Sequence, residues 1–273
     1  MTAPLPAWSD AFAIDRRADL DRERPLGRLD RETIFADADG HGVRVAVVDS
    51  GVDGTHPAVA GRLRRAYRVE LDGEDVRVVE DDAATDVVGH GTACAGIIVG
   101  IAPAVELVSI RVLGPDNRGK GRALAAAVAW AVEDGIDVVN LSLSSRSEAM
   151  FADLHDLADR AYFANALLVS AVNNLPGASY PSLFASVVSV AAHDVADPEV
   201  WFYNPAPPVE FGAYGVDVDV AWRDGGRIRA TGNSFAAPHL AGHAARLRSR
   251  YPAATPFEIK TLLAATADDP NPG

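Results

Sequence analysis

Five short apolar runs, residues 43–48, 107–113, 136–143, 167–172 and 187–192, recur along the chain, and their valine, leucine and isoleucine content predicts buried strands. Helical spacing fills most of the intervals. One helix is predicted from His90 to near Gly100, a second over residues 122–133, and a third over residues 148–165. The third places Phe151, Leu154, Leu157, Ala158 and Ala161 on one stripe, which reads as core. An apolar run after Ser234 predicts a fourth helix. Thr255-Pro256-Phe257-Glu258 has the form of a capping box with proline at the first helical position, opening a last helix through about residue 266. Residues 67–82 alternate apolar and charged around Asp72-Gly73-Glu74-Asp75, a hairpin pattern, and residues 216–220 alternate before the turn at Asp224-Gly225-Gly226. Strands alternating with helices predict an α/β fold: a doubly wound, largely parallel sheet with helices on both faces, in a single domain.

The boundaries follow from composition. Residues 1–40 form a charged N-terminal arm with few apolar positions, residues 41–268 the folded domain, and residues 269–273 a short tail. Mixed charge such as Asp21-Arg22-Glu23-Arg24 reads as a solvated helix or extended arm, with an arm lying across a functional site as the alternative. The prolines and aromatics of residues 198–214 read as packing beneath a loop, with substrate contact as the alternative.

Charge and cysteine content narrow the partners. A net charge of −13 argues against nucleic acid, whose binding is driven by Lys/Arg neutralisation of phosphates, and leaves room for a mild preference for cationic peptides. With 48% hydrophobic residues the 273-residue chain buries one large core. Cys94, the single cysteine, cannot form an internal disulfide and reads as a buried, inert thiol. No stretch approaches the ~18 apolar residues of a membrane span, so no membrane partner is expected. The residues after Met1 lack the ~7–15-residue apolar core of a signal peptide, giving a cytoplasmic expectation.

Three settings carry candidate chemistry. Residues 43–48 run into Asp49-Ser50-Gly51, His90 lies in Gly89-His90-Gly91-Thr92 at a helix start, and Ser234 lies in Gly232-Asn233-Ser234-Phe235-Ala236-Ala237-Pro238 before an apolar helix. A serine hydroxyl is a weak nucleophile at neutral pH; an imidazole that takes its proton and a carboxylate that orients the imidazole activate it. His239 and His243 stand four apart, a spacing that can ligate zinc on one helix face, but no third ligand accompanies them, so no metal is assigned. His56 reads as a loop-stabilising residue.

In the order Asp, His, Ser, these motifs resemble the subtilisin-like serine proteases (subtilases, peptidase family S8), and the resemblance runs from about residue 42 to 266. It implies a serine endopeptidase acting through an acyl-enzyme on Ser234, with His90 as base, Asp49 as its partner, peptide or protein as substrate and no required cofactor. It also implies an oxyanion-stabilising asparagine after the strand at 167–172, placed at Asn173 with Asn174 as the alternate. Gly119, Lys120 and Gly121 on one side and Ser142, Leu143 and Ser144 on the other are the implied substrate-binding edges. A structural calcium is allowed, with Glu80-Asp81-Asp82 the candidate run. The chain departs from the family pattern at Val172 and at Ser144-Ser145, where glycines are usual, and at Asn233, where threonine is usual. Val172 and the two serines are expected to crowd the groove, which favours a dedicated intracellular processing protease for a peptide precursor. The alternative is a weakly active or inactive peptide-binding pseudoprotease.

Overall fold

A computed structural model describes residues 6–13, 16, 29–206 and 208–270. The five predicted strands are β1 (Arg44–Asp49), β4 (Glu106–Arg111), β5 (Val138–Leu141), β6 (Leu167–Ala171) and β7 (Val188–His193). The hairpin forms as β2 (Leu63–Asp72) and β3 (Asp75–Glu80), with Gly73 supplying the positive φ of its turn. Two strands that the pattern did not predict, β8 (Trp201–Tyr203) and β9 (Phe211–Tyr214), lie in the proline- and aromatic-rich stretch. They are three and four residues long, too short to show a period. A separate antiparallel pair, β10 (Val218–Ala221) and β11 (Arg227–Ala230), flanks the predicted turn.

The main sheet has nine strands in the order β3-β2-β4-β1-β5-β6-β7-β9-β8. All neighbours are parallel except the two edge pairs, β2 with β3 and β8 with β9. Strand alternation sorts side chains onto two apolar faces: Val45 and Val47 point to one and Ala46 and Val48 to the other, all four fully buried. The first face is covered by α2 (His90–Ile101), α5 (Asn233–Arg250) and α6 (Pro256–Ala265), through residues such as Ile98, Leu240 and Leu263. The second is covered by α3 (Gly121–Glu133) and α4 (Phe151–Phe163), through Leu124, Val128, Leu154 and Leu157. Burying each such side chain contributes roughly 1.5–3 kcal/mol, so both helix layers are fixed by the sheet that positions the site.

The third predicted helix is shorter than its pattern suggested. Residues Glu148–Met150 form a 3₁₀ turn and the α-helix ends at Phe163. Leu154, Leu157, Ala158 and Ala161 are core as expected, whereas Phe151 is 44% exposed and packs edge-on against Tyr180 and Phe184. The capping box at Thr255 and Glu258 forms in full. Ahead of the sheet, α1 (Arg31–Phe35) seats Phe35 against Trp201 and His243. In the N-terminal region, residues Ser9–Phe12 form a 3₁₀ turn whose Ser9 and Phe12 are fully buried, so this part is no solvated arm. Most of the charged run read as an arm, residues 17–28, lies outside the described residues.

Candidate active site

Asp49 ends the central strand β1 and His90 opens α2, so the parallel topology delivers both side chains to the carboxyl edge of the sheet, where sites gather in open α/β folds. Their close approach depends on Gly91. A Cβ there would lie 2.0 Å from the Gly51 carbonyl oxygen and 3.1 Å from the Asp49 Cβ. His90 Nδ1 lies 2.8 Å from Asp49 Oδ1 and 2.9 Å from Oδ2. The Ser50 backbone N–H donates to the same carboxylate at 2.7 Å. On its other edge, His90 Nε2 is 3.0 Å from Ser234 Oγ. The three side chains predicted from separate motifs therefore form one unbroken relay. Burial of the imidazole works to lower its pKa, but the fully buried Asp49 carboxylate outweighs this and holds His90 well above its usual 6.5.

Asp86, which the sequence reading missed, organises this corner. Its Oδ1 accepts from Ser50 Oγ (2.7 Å), Val88 N (2.9 Å) and Gly89 N (2.7 Å), and its Oδ2 accepts from Thr92 N (2.8 Å) and Thr92 Oγ1 (2.7 Å). One carboxylate thus satisfies two of the free N–H groups at the start of α2, those of Gly89 and Thr92, and ties the helix to the residue after Asp49. An aspartate four residues before a glycine-flanked histidine was the available signal.

Ser234 sits in the first turn of α5 and is half-buried. Pro238 lacks the N–H that would bond the Ser234 carbonyl, and the Cys94 thiol lies 3.6 Å from that oxygen instead. Cys94 also packs 3.8 Å from Asp49 Oδ2 and 3.2 Å from Ser142 Oγ. Asp49, His90 and Cys94 have the proximity of a metal-ligand set. Burial pushes the thiol pKa up, which keeps it protonated and makes it a poor ligand, while both Asp49 oxygens are engaged by His90.

A groove of ≈ 730 Å³ is lined by His90, by Gly119, Lys120 and Gly121, by Ser142, Leu143 and Ser144, and by Asn173 and Asn174. Both predicted edges therefore line one groove. Gly121 is the first residue of α3, and Ser145 leaves the groove by pairing with Tyr180 at 2.8 Å in both directions. Arg118, Lys120 and Arg146 line the groove and are exposed. Despite a net charge of −13, the groove wall therefore carries basic side chains.

The asparagines divide their work in a way the sequence could not show. Asn173 folds back on its own loop, its Oδ1 accepting from Leu175 N at 2.9 Å. Asn174 instead reaches the nucleophile turn: its Oδ1 accepts from Asn233 N at 2.9 Å. A Cβ built on Gly232 would lie 3.5 Å from Asn174 Nδ2 and 3.3 Å from Ser234 Oγ, so the amide nitrogen and the hydroxyl both flank the open position beside Gly232. Val172, expected to constrict the pocket, is among the residues that line the groove, although it is only 2% exposed and packs with Phe12, Ala191 and Phe202. Asn233 is fully buried, and its Oδ1 accepts from Ala192 N.

Other candidates resolve into structural roles. His56 accepts from Ala58 N and pairs with the Gly226 carbonyl. His239 and His243 are buried, each with a ring nitrogen on a backbone carbonyl, of Phe235 (2.8 Å) and Pro198 (3.0 Å), and burial lowers their pKa values to about 4 and about 3. Asp81, central to the calcium candidate, has Arg111 at 2.9 Å and Arg68 at 3.8 Å, so its charge is met by guanidinium groups and the acidic run does not fit a calcium cage.

The sequence matches the subtilase family over residues 40–273. It is 31% identical to the thermostable alkaline protease of Halalkalibacterium halodurans, over 84% of this chain and 63% of that protein. It is 32% identical to subtilisin BL of Lederbergia lenta, over 84% of each chain. Among solved structures, a cold-adapted subtilisin-like serine proteinase superposes with a TM-score of 0.68 at 28% identity, covering 89% of both chains. With the fold, the motif order and the relay all in agreement, the chain belongs to the subtilase family of serine endopeptidases.

Proposed function

We propose that the protein hydrolyses peptide bonds through an acyl-enzyme on Ser234, and the continuous Asp49–His90–Ser234 relay beside an open groove carries this reading. An extended peptide lies between the edges at 119–121 and 142–144, held by main-chain hydrogen bonds. His90 Nε2 takes the Ser234 proton as Oγ attacks the scissile carbonyl, and Asp49 stabilises the imidazolium that forms. The oxyanion is met by the Ser234 backbone N–H at the start of α5 and by Asn174 Nδ2, whose partner oxygen is fixed on Asn233 N. This reading gives the role to Asn174, the alternate, rather than to Asn173, where the resemblance first places it. His90 returns its proton to the leaving amine, and water, activated by the same imidazole, releases the acyl group.

The basic wall at Arg118, Lys120 and Arg146 supports a substrate class: peptides carrying Asp or Glu near the scissile bond, as in a dedicated precursor-processing protease. Intact wild type should label at Ser234 with a fluorophosphonate, Ser234→Ala and His90→Ala should not, and a mixed peptide library should return cleavage sites enriched in acidic residues. A well-folded wild type that neither labels nor cleaves would sink the hydrolytic reading. Rapid cleavage of unfolded casein at many unrelated sites would sink the narrow substrate class alone.

A further inference from the structure

The buried N-terminal turn touches both segments that carry the reaction. Ala7 N donates to the Asn174 carbonyl at 3.0 Å, and the Ala7 carbonyl accepts from Asn233 Nδ2 at 3.0 Å. One residue therefore bridges the loop holding the oxyanion amide and the residue preceding the nucleophile. Ser9 Oγ donates to Asn233 Oδ1 at 3.3 Å. The remaining bonds of that amide run to the asparagine loop and to β7: Nδ2 reaches the Val172 carbonyl (3.2 Å) and the Asn173 carbonyl (3.3 Å), and Oδ1 accepts from Ala192 N (2.9 Å). Asn233, the departure from the family's threonine, is long enough to collect these contacts and is fully buried.

The turn is anchored three residues further on. Phe12 is fully buried among Val172, Ala191, Phe202 and Val209, in a slot whose floor is Gly212. A Cβ at Gly212 would lie 2.5 Å from the Phe12 ring. Trp8, between the bridge and the anchor, holds a φ of 72°, a left-handed conformation that a tryptophan adopts only when its surroundings impose it.

We propose that residues 7–12 are a positioning clasp for the active site: seated through Phe12, they hold the Asn174 loop and the Asn233-Ser234 turn in register, so that the oxyanion donor and the nucleophile meet the same carbonyl. The clasp lies behind the site rather than across it, so it supports catalysis instead of blocking it. It rests on the hydrolytic reading only for its kinetic consequence; the geometric consequence stands by itself.

The test uses Ser9→Ala, Phe12→Ala and the conservative Phe12→Leu in the full chain, read by steady-state kinetics and by amide exchange at residues 172–175 and 232–235. Misplacing reacting groups by about 1 Å costs on the order of 100-fold. For Phe12→Ala, kcat is expected to fall at least tenfold with KM within twofold. Exchange in the two segments should rise at least tenfold while that in α3 is unchanged, and Phe12→Leu should recover most of both. Ser9→Ala should show the same signature, smaller. Unchanged exchange in both segments would overturn the clasp whether or not the chain is a peptidase, as would a rise in activity, the mark of an inhibitory arm. Absence of fluorophosphonate labelling in wild type would count against the peptidase reading instead, leaving the exchange data to decide the clasp.

Discussion

Asp86 Oδ1 accepts a 2.7 Å hydrogen bond from Ser50 Oγ, joining the strand end that holds Asp49 to the helix start that holds His90. The same carboxylate takes four further bonds from Val88, Gly89 and Thr92. Asp86→Ala removes this helix cap and leaves several donors unpaired, for an expected loss of about 2–4 kcal/mol in chemical denaturation. At a temperature where the variant is folded, kcat should still be reduced, because Asp49 and His90 are no longer held together. An unaltered kcat in folded Asp86→Ala would show that the cap is structural only.

Asp49→Asn keeps the shape of the relay but removes the charge that raises His90. A loss in kcat on the order of 10⁴ is expected, since the amide no longer favours the required tautomer or the imidazolium.

The free enzyme needs a neutral imidazole, and Asp49 holds the His90 pKa well above 6.5. The kcat/KM profile should therefore climb through an alkaline-shifted limb rather than one near 6.5. The stability sign is opposite: the raised pKa contributes stability that is full below 6.5 and is lost as pH rises through the folded value. A limb at or below 6.5 in wild type would contradict the pairing.

Asn174→Ala should lower kcat by about 10²–10³ with little effect on KM, the range known for oxyanion donors in subtilisin-type enzymes. Asn173→Ala, which loses only the turn bond to Leu175, should change kcat far less. The reverse ranking in steady-state kinetics would return the role to Asn173.

His239 and His243 are buried as neutral rings with pKa values near 4 and 3, against 6.5 when unfolded. Each depressed value contributes stability that is full above about 6.5 and falls with pH at about 1.4 kcal/mol per unit, down to its folded pKa. Urea unfolding followed from pH 7.5 to 4.5 should show this steepening, and replacing either ring with leucine should flatten it.

Much of this was legible in the chain because local chemistry is written locally. The apolar runs that become β1 and β4 to β7 announce themselves by composition, and Asp49, His90 and Ser234 each stand at a strand end or helix start with a glycine within two residues. The capping box at Thr255 needs only four consecutive residues. The two short strands at Trp201 and Phe211 did not announce themselves: β9 exists because β7 offers it a parallel edge.

What the sequence by itself determined was the layered α/β plan and the identity of the three relay residues, since each follows from periodicity or from a motif within a few residues, while the groove edges were implied only by the family resemblance. Only the tertiary structure decided which of two adjacent asparagines bonds the residue before the nucleophile, that Asp86 unites strand and helix, that the groove wall carries basic side chains in an acidic protein, and that Ala7 and Ser9 bond Asn233 while Phe12 packs against Val172. Ser9 and Asn233 are separated by 224 residues, and no local pattern constrains such a pair. Their contact is set by the order in which the strands are laid side by side and by the volume left to be filled between them.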